Sequence, residues 1–237
     1  MKVRIKFSKQ GAAKFIGHLD VMRYFQKVMR RAGIAICYSG GFSPHQIMSF
    51  AAPLGVGITS LGEYLDIEVE DTEPVETMKE RMNRTMAEGF HVESVCHLSD
   101  QAANAMSLVA AARYRISFRP GYEPEDVEGW MKEVEEFYRQ DQILVTKKTK
   151  KGQKELDLAL LVYQLRAEKE SLSMVISTGS TENIKPELVL DAFYQWKGIE
   201  REPFAFLVQR EEVYAKAMDQ EAAFPFISLE ELGECYE

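Results

Sequence analysis

VRIKF, residues 3–7, alternates apolar and basic side chains, and YRISF, residues 114–118, repeats the pattern. Successive side chains of a strand point to opposite faces, so Val3, Ile5 and Phe7 pack on a core while Lys2, Arg4 and Lys6 point away. Arg113, Arg115 and Arg119 take the outward role in the second copy. After the first strand the apolar positions Val21, Met22, Phe25, Val28, Met29 and Ala32 recur at helical spacing, which predicts a helix over 18–32 stopped by Gly33. A strand at 63–69 follows, then a helix opened by Thr72 and Pro74 that carries Val75, Met78, Met82 and Met86 to Gly89, then a strand at 90–98.

The second copy reads as a strand at 112–118, a helix from Pro124 to Arg139 and a strand at 143–149. A polar tract, Lys147 to Lys154, and an apolar segment at 156–165 of undecided type come next. A strand at 172–178, a helix between Pro186 and Gly198 and a strand at 204–210 complete it. The expected class is α+β, with tandem duplicated ferredoxin-like (β-α-β-β-α-β) domains and antiparallel sheets. Its parts are an N-terminal domain at 1–100, a small polar linker at 99–107, a C-terminal domain at 108–216 and an acidic tail at 217–237. The tail's apolar stretch, Phe224 to Leu229, docks on the body or on a partner.

Net charge is −8, but the first fifty residues hold nine of the 29 Lys and Arg and one acid, Asp20. That segment is +8, and such division creates a positive face that attracts anions; a merely solvated basic face is the plainer account. Three cysteines far apart, Cys37, Cys96 and Cys235, do not make a disulfide framework and suit a reducing cytosol. The chain lacks an apolar leader and any run long enough to span a bilayer, so a cytoplasmic protein without membrane contact is expected. No cofactor is expected. His91, Cys96 and His97 have the spacing for zinc, yet strand alternation sends Cys96 and His97 to opposite faces, so no metal site is expected.

The candidate chemistry concentrates in the first half. Arg23, Lys27, Arg30 and Arg31 share one helix face, joined by Lys14 before the helix. GHLD, residues 17–20, opens that helix; its free N–H groups and His18 suit a phosphate, and Asp20 with Gly17 suits a plain cap equally. In SGGFSPH, Gly41 permits positive φ, Pro44 restrains Ser43, and Ser39 closes a local turn. This loop, with Phe42 and His45, is either an anion nest or a crossover. Ser49, Pro53, Gly55, Ser60 and Glu63 shape a second irregular stretch, where Glu63 clamps a basic residue or a ligand amine. The lysines at 147, 148, 150, 151 and 154 form either an anion-grasping arm or a solubilising hairpin tip. The outward strand cations are basic and not aromatic, so Arg4, Lys6, Arg113 and Arg115 favour phosphate contact over base stacking.

KFIGHLDVMRYFQKVMRRAGI and SGGFSPHQIMSFAAPLGVGITSLGEYLDIEV, residues 14–34 and 39–69, resemble the radical-SAM-linked family. This is a bacterial domain of unknown function, found alone or fused to the C-terminus of B12-binding radical SAM proteins. The resemblance implies partnership with a radical SAM protein and carries no catalytic residue. The N-terminal half is also remotely similar to the ferredoxin-like RNA endonucleases that process CRISPR transcripts, without their glycine-rich C-terminal signature. The expected function is a non-catalytic RNA-binding or substrate-presenting partner of a radical SAM enzyme, in tRNA or ribosomal RNA modification and without DNA specificity. The alternatives are a metal-independent ribonuclease or small-anion enzyme using His18 and His45, and a protein scaffold.

Overall fold

The computed structural model describes residues 1–70, 73–149, 152–180, 182–219 and 222–235, with side chains 148 and 149 excepted. Thr72, Lys150, Lys151 and the Lys148 side chain, which the sequence reading used, lie outside the described residues. In chain order the elements are β1 (Lys2–Lys9), α1 (His18–Arg31), β2 (Met48–Phe50), β3 (Thr59–Glu68), α2 (Val75–Asn83), β4 (Phe90–Leu98), α3 (Ala105–Leu108) and β5 (Val109–Phe118). They continue with α4 (Val127–Phe137), β6 (Leu144–Thr149), β7 (Gly152–Asp157), β8 (Val162–Ala167), β9 (Ser171–Ser177), α5 (Pro186–Lys197), β10 (Phe206–Lys216) and β11 (Phe226–Ser228). The class is mixed α+β, and each strand pair whose register is described below is antiparallel. Residues 1–111 and 210–237 form one compact unit and 112–209 the other, so the chain changes unit inside β5 and returns inside β10.

In the first unit the strand order is β4-β1-β3-β10, with β2 also on β3 and β11 on β10. Alternation puts Val3, Ile5 and Phe7 under α1 and α2, where they meet Val21, Phe25, Val28, Met29, Met78 and Met82. Phe7 and Phe25 rings stand 4.5 Å apart. Each such buried side chain contributes roughly 1.5–3 kcal/mol, which is why the helices dock on this face. Helix α1 ends where Gly33 turns to φ +65°, and Arg81 of α2 finishes it: Nε donates to the Ala32 carbonyl at 2.8 Å. The left-handed φ of this turn is what requires glycine here.

The other face of this sheet, to which Lys2, Arg4 and Lys6 point, is partly covered. Its cross-strand rows read Ser94–Lys6–Tyr64, Cys96–Arg4–Asp66 and Leu98–Lys2–Glu68. The C-terminal segment lies over the first two rows, with β11 paired to β10 and the Leu229 carbonyl accepting from Arg4 at 2.8 Å. Cys96 and Cys235 are joined in a disulfide across a separation of 139 residues, which corrects the reading of three isolated thiols; Cys37 is free. Distance along the chain concealed the pairing, because the whole second unit lies between β4 and the tail that returns to it.

In the second unit the order is β10-β5-β9-β8. Its core gathers Ile116, Phe118, Trp130, Val134, Phe137, Val189, Phe193 and Phe206. Asp126 caps α4 by accepting the Gly129 amide at 2.8 Å. Pro186 opens α5, and Gly198 at φ +68° ends it. The strand expected at 143–149 is β6, yet it pairs with β7 in a separate hairpin, and β8 from the undecided segment takes the place beside β9. The physical reason is polarity: the hairpin carries lysines on both strands, and only Ile143, Leu156 and their neighbours reach a core. Lys147 and Lys154 stand directly opposite each other, and Glu182 accepts from both, offsetting the like-charge repulsion. Hydrogen bonds from Lys154 and Lys147 hold the Glu182 carboxyl below the usual carboxylate range. Two of the supposed anion-grasping lysines are therefore already occupied.

Candidate functional site

Helix α1 presents Arg23, Lys27, Arg30 and Arg31 to solvent on one face. Arg23 reaches Asp20 at 3.1 Å, while Lys27, Arg30 and Arg31 meet no carboxylate among the described residues. Beside this face stands the loop of residues 39–45. Tyr38 and Gln46 close its base as a backbone bridge, and Gln46 Nε2 donates to the Gln26 carbonyl of α1 at 3.4 Å. Gly41 sits at φ +95°, which only glycine adopts cheaply, and Ser39 Oγ accepts the His45 amide at 3.1 Å while lying 2.9 Å from His45 Nδ1. Phe42, Ser43 and Pro44 are exposed, Phe42 completely. Lys14 is half-buried, with Nζ 5.3 Å above the Phe15 ring.

Two cavities flank these elements. The larger, about 410 Å³, is lined by Lys2, Ser39, His45, Ser49, Asp66 and Glu68 among others, so it mixes both charge signs. The smaller, about 10 Å³, holds no more than a single water-sized group and is lined by Lys9, His18, Phe50, Pro53 and Glu63. His18 packs edge-on against Phe50 at 5.3 Å. His18 and His45 thus line different cavities. Ser60 is buried and turns back to accept the Gly62 amide at 3.2 Å, while Gly55 packs against Ile58; both shape the chain and neither faces a cavity described above.

Behind the small cavity lies a buried ionic cluster. Arg210 donates Nε to Glu63 Oε1 at 2.7 Å and Nη2 to Glu63 Oε2, and reaches the Ala52 carbonyl at 2.7 Å. Glu63 therefore clamps a protein cation. Lys9 is 2 % exposed and donates to the Ile16 carbonyl at 2.7 Å. Burial lowers its pKa below the ordinary lysine value, Glu63 opposes that shift and Arg210 adds to it. A lysine whose folded pKa is depressed penalises the fold wherever it is charged. The penalty is complete below the folded pKa and fades as pH rises toward the unfolded value near 10.5. Lys9→Met is accordingly expected to gain stability on wild type at pH 7, with the gain shrinking as pH approaches about 10. Urea unfolding at a series of pH values checks this, and a pH-independent gap would remove Lys9 as the charge responsible.

The family described as "Uncharacterized protein conserved in bacteria (DUF2344)" matches residues 2–186. The chain belongs to this family. No curated protein matches it.

Within this DUF2344 chain the outward strand cations do not join the α1 stripe. Arg4, 1 % exposed, donates Nε and Nη2 to the two Asp66 oxygens at 2.8 and 2.9 Å. Lys6 Nζ lies 2.7 Å from Glu212 and 2.5 Å from Glu230. Burial alone would lower the Lys6 pKa, but hydrogen bonds from it to Glu212 and Glu230 outweigh that and raise it. Burial, reinforced by the Glu212 charge and hydrogen bond, pushes the Tyr64 hydroxyl upward as well. The expectation that Arg4 and Lys6 are free to hold phosphate is thus corrected: their carboxylates come from β3, β10 and the tail. Arg115 pairs with Glu168 and reaches Ser171 Oγ at 3.1 Å; Arg113 is half-buried beside it on β5. Arg119 donates to the Phe204 carbonyl at 2.9 Å.

Sequence reading of this DUF2344 chain missed Lys9, Arg210, Asp66, Glu212 and Glu230. The alternation that marked Arg4 and Lys6 as outward applies equally to Asp66 and Tyr64 on β3, and that signal could have paired them. Nothing local points Arg210 to Glu63. Among the described residues no group of three His, Cys, Asp or Glu side chains could hold a metal ion, and no helix is long and apolar enough to cross a membrane. Cys96, one of three residues weighed for zinc, is engaged by Cys235.

Proposed function

We propose that this protein is a non-catalytic, RNA-binding or substrate-presenting partner of a radical SAM enzyme, acting in tRNA or ribosomal RNA modification. The observation that carries the RNA half is the α1 face: Lys27, Arg30 and Arg31 are exposed and, among the described residues, without a carboxylate partner, beside a loop that holds Phe42 fully in solvent. Three like charges at this spacing repel one another, and a phosphate chain relieves the repulsion while Phe42 offers a base a stacking surface. The radical SAM half rests on the resemblance of residues 14–69. The proposed scaffold is a pair of ferredoxin-like copies. Supporting it, β4-β1-β3-β2 and β10-β5-β9-β8 run in one order when β2, cut to three residues, is counted as the edge strand of the first.

The test is binding of purified protein to total tRNA across a salt series. Affinity is expected to fall with rising salt at a log–log slope of about −2 to −3, as about three or four phosphate contacts require. Absence of binding at low salt, or binding indifferent to salt, would refute the RNA reading. Co-purification of a radical SAM protein with wild type and with α1 charge variants alike tests the second half separately.

A further inference from the structure

The segment from Phe226 to Cys235 is held to the sheet by strand pairing, ion pairs and the buried Leu229 side chain, and at its end by one covalent bond. Strand β11 contributes three residue pairs to β10. Glu230 bridges Lys6 and Ser94, the latter at 2.7 Å, and Glu234 exchanges both backbone hydrogen bonds with His97 at 3.0 and 2.8 Å. Gly233 approaches so closely that a Cβ would stand 2.9 Å from Cys96 Cβ. Cys96 itself is wholly buried, whereas Cys235 is exposed. That asymmetry selects the sulfur an external thiolate reaches.

We propose that Cys96–Cys235 is a reversible thiol–disulfide latch that holds the C-terminal segment over the cationic rows of the sheet, opened by a dithiol reductant. One thiolate of the dithiol attacks Cys235 Sγ, the Cys96–Cys235 bond breaks, and its electron pair leaves on Cys96, which takes a proton. The second thiol then attacks the mixed disulfide, freeing Cys235 as a thiol and leaving the reductant as its own disulfide. Two electrons pass to the protein. With the bond gone, Leu229 and Glu230 withdraw; Arg4 keeps Asp66, Lys6 keeps Glu212, and Ser94 and one edge of each cation open to solvent. The inference does not rest on the RNA reading, because it concerns the segment and its cover alone.

The full chain, oxidised and then reduced with dithiothreitol, is compared by hydrogen exchange and by acetylation with a water-soluble reagent. Reduction is expected to speed exchange at the His97 and Glu234 amides at least about tenfold, with β1–β3 amides unchanged, and to raise acetylation of Lys6. Cys235→Ser, at an exposed position, is expected to behave as the reduced form in oxidising buffer and to ignore dithiothreitol. Equal protection and equal Lys6 labelling in both states would overturn the latch, as would failure of the folded protein to form the bond under a mild oxidant.

Discussion

Glu63→Leu is expected to cost about 3–5 kcal/mol of unfolding free energy, more than Arg210→Met at the other end of the same pair. The asymmetry comes from Lys9. Removing the carboxylate takes from two buried cations, Arg210 and Lys9, the Glu63 charge they share, whereas removing Arg210 leaves Glu63 within electrostatic reach of the Lys9 ammonium. Buried pairs contribute little net stability when replaced whole, but a lone remaining charge pays its desolvation in full. The double variant Glu63→Leu/Arg210→Met should therefore be more stable than Glu63→Leu alone. Urea unfolding of the three proteins decides it: if Arg210→Met is the worse single change, Lys9 is not acting as the spare counter-charge.

Lys27→Glu/Arg30→Glu/Arg31→Glu is expected to abolish tRNA binding at 0.1 M salt, and the corresponding alanine variant to flatten the salt slope by about 2, its share of released counterions. All three residues are exposed and meet no carboxylate among the described residues, so the alanine change should leave the unfolding midpoint nearly unchanged. The matched control is Arg115→Ala on the second unit, whose ion pair with Glu168 takes it out of the proposed surface. If the alanine variant binds as wild type does, the α1 face is ordinary solvated surface.

Much of the local structure was legible because local rules govern it. Strand β4 falls on the expected residues 90–98, and α5 runs from Pro186 to the residue before Gly198, since proline and glycine punctuate wherever they stand. Helix α1 was legible from its apolar spacing, and its exposed arginines from the same wheel. What stayed hidden depends on partners distant in sequence. Arg4 finds Asp66 62 residues away, on the same face that alternation assigns it, but Leu229 225 residues away, and no period in the chain encodes that second meeting. The fate of β6 was misread for a related reason: a half-polar strand fits a sheet edge or a free hairpin equally, and only β8's competing claim on β9 decides.

The placement of residues 210–235 with the first unit inverts the order of birth and completion. As the chain leaves the ribosome, Glu63 emerges long before Arg210, and Cys96 waits 139 residues for Cys235. The unit that begins first cannot finish until residues 210–235 have been synthesised, while the uninterrupted second unit is free to close ahead of it. A nascent chain stalled before residue 210 carries an N-terminal sheet without β10 and β11, its Glu63 lacking its arginine, and such a chain is a natural client for holding factors until those strands arrive.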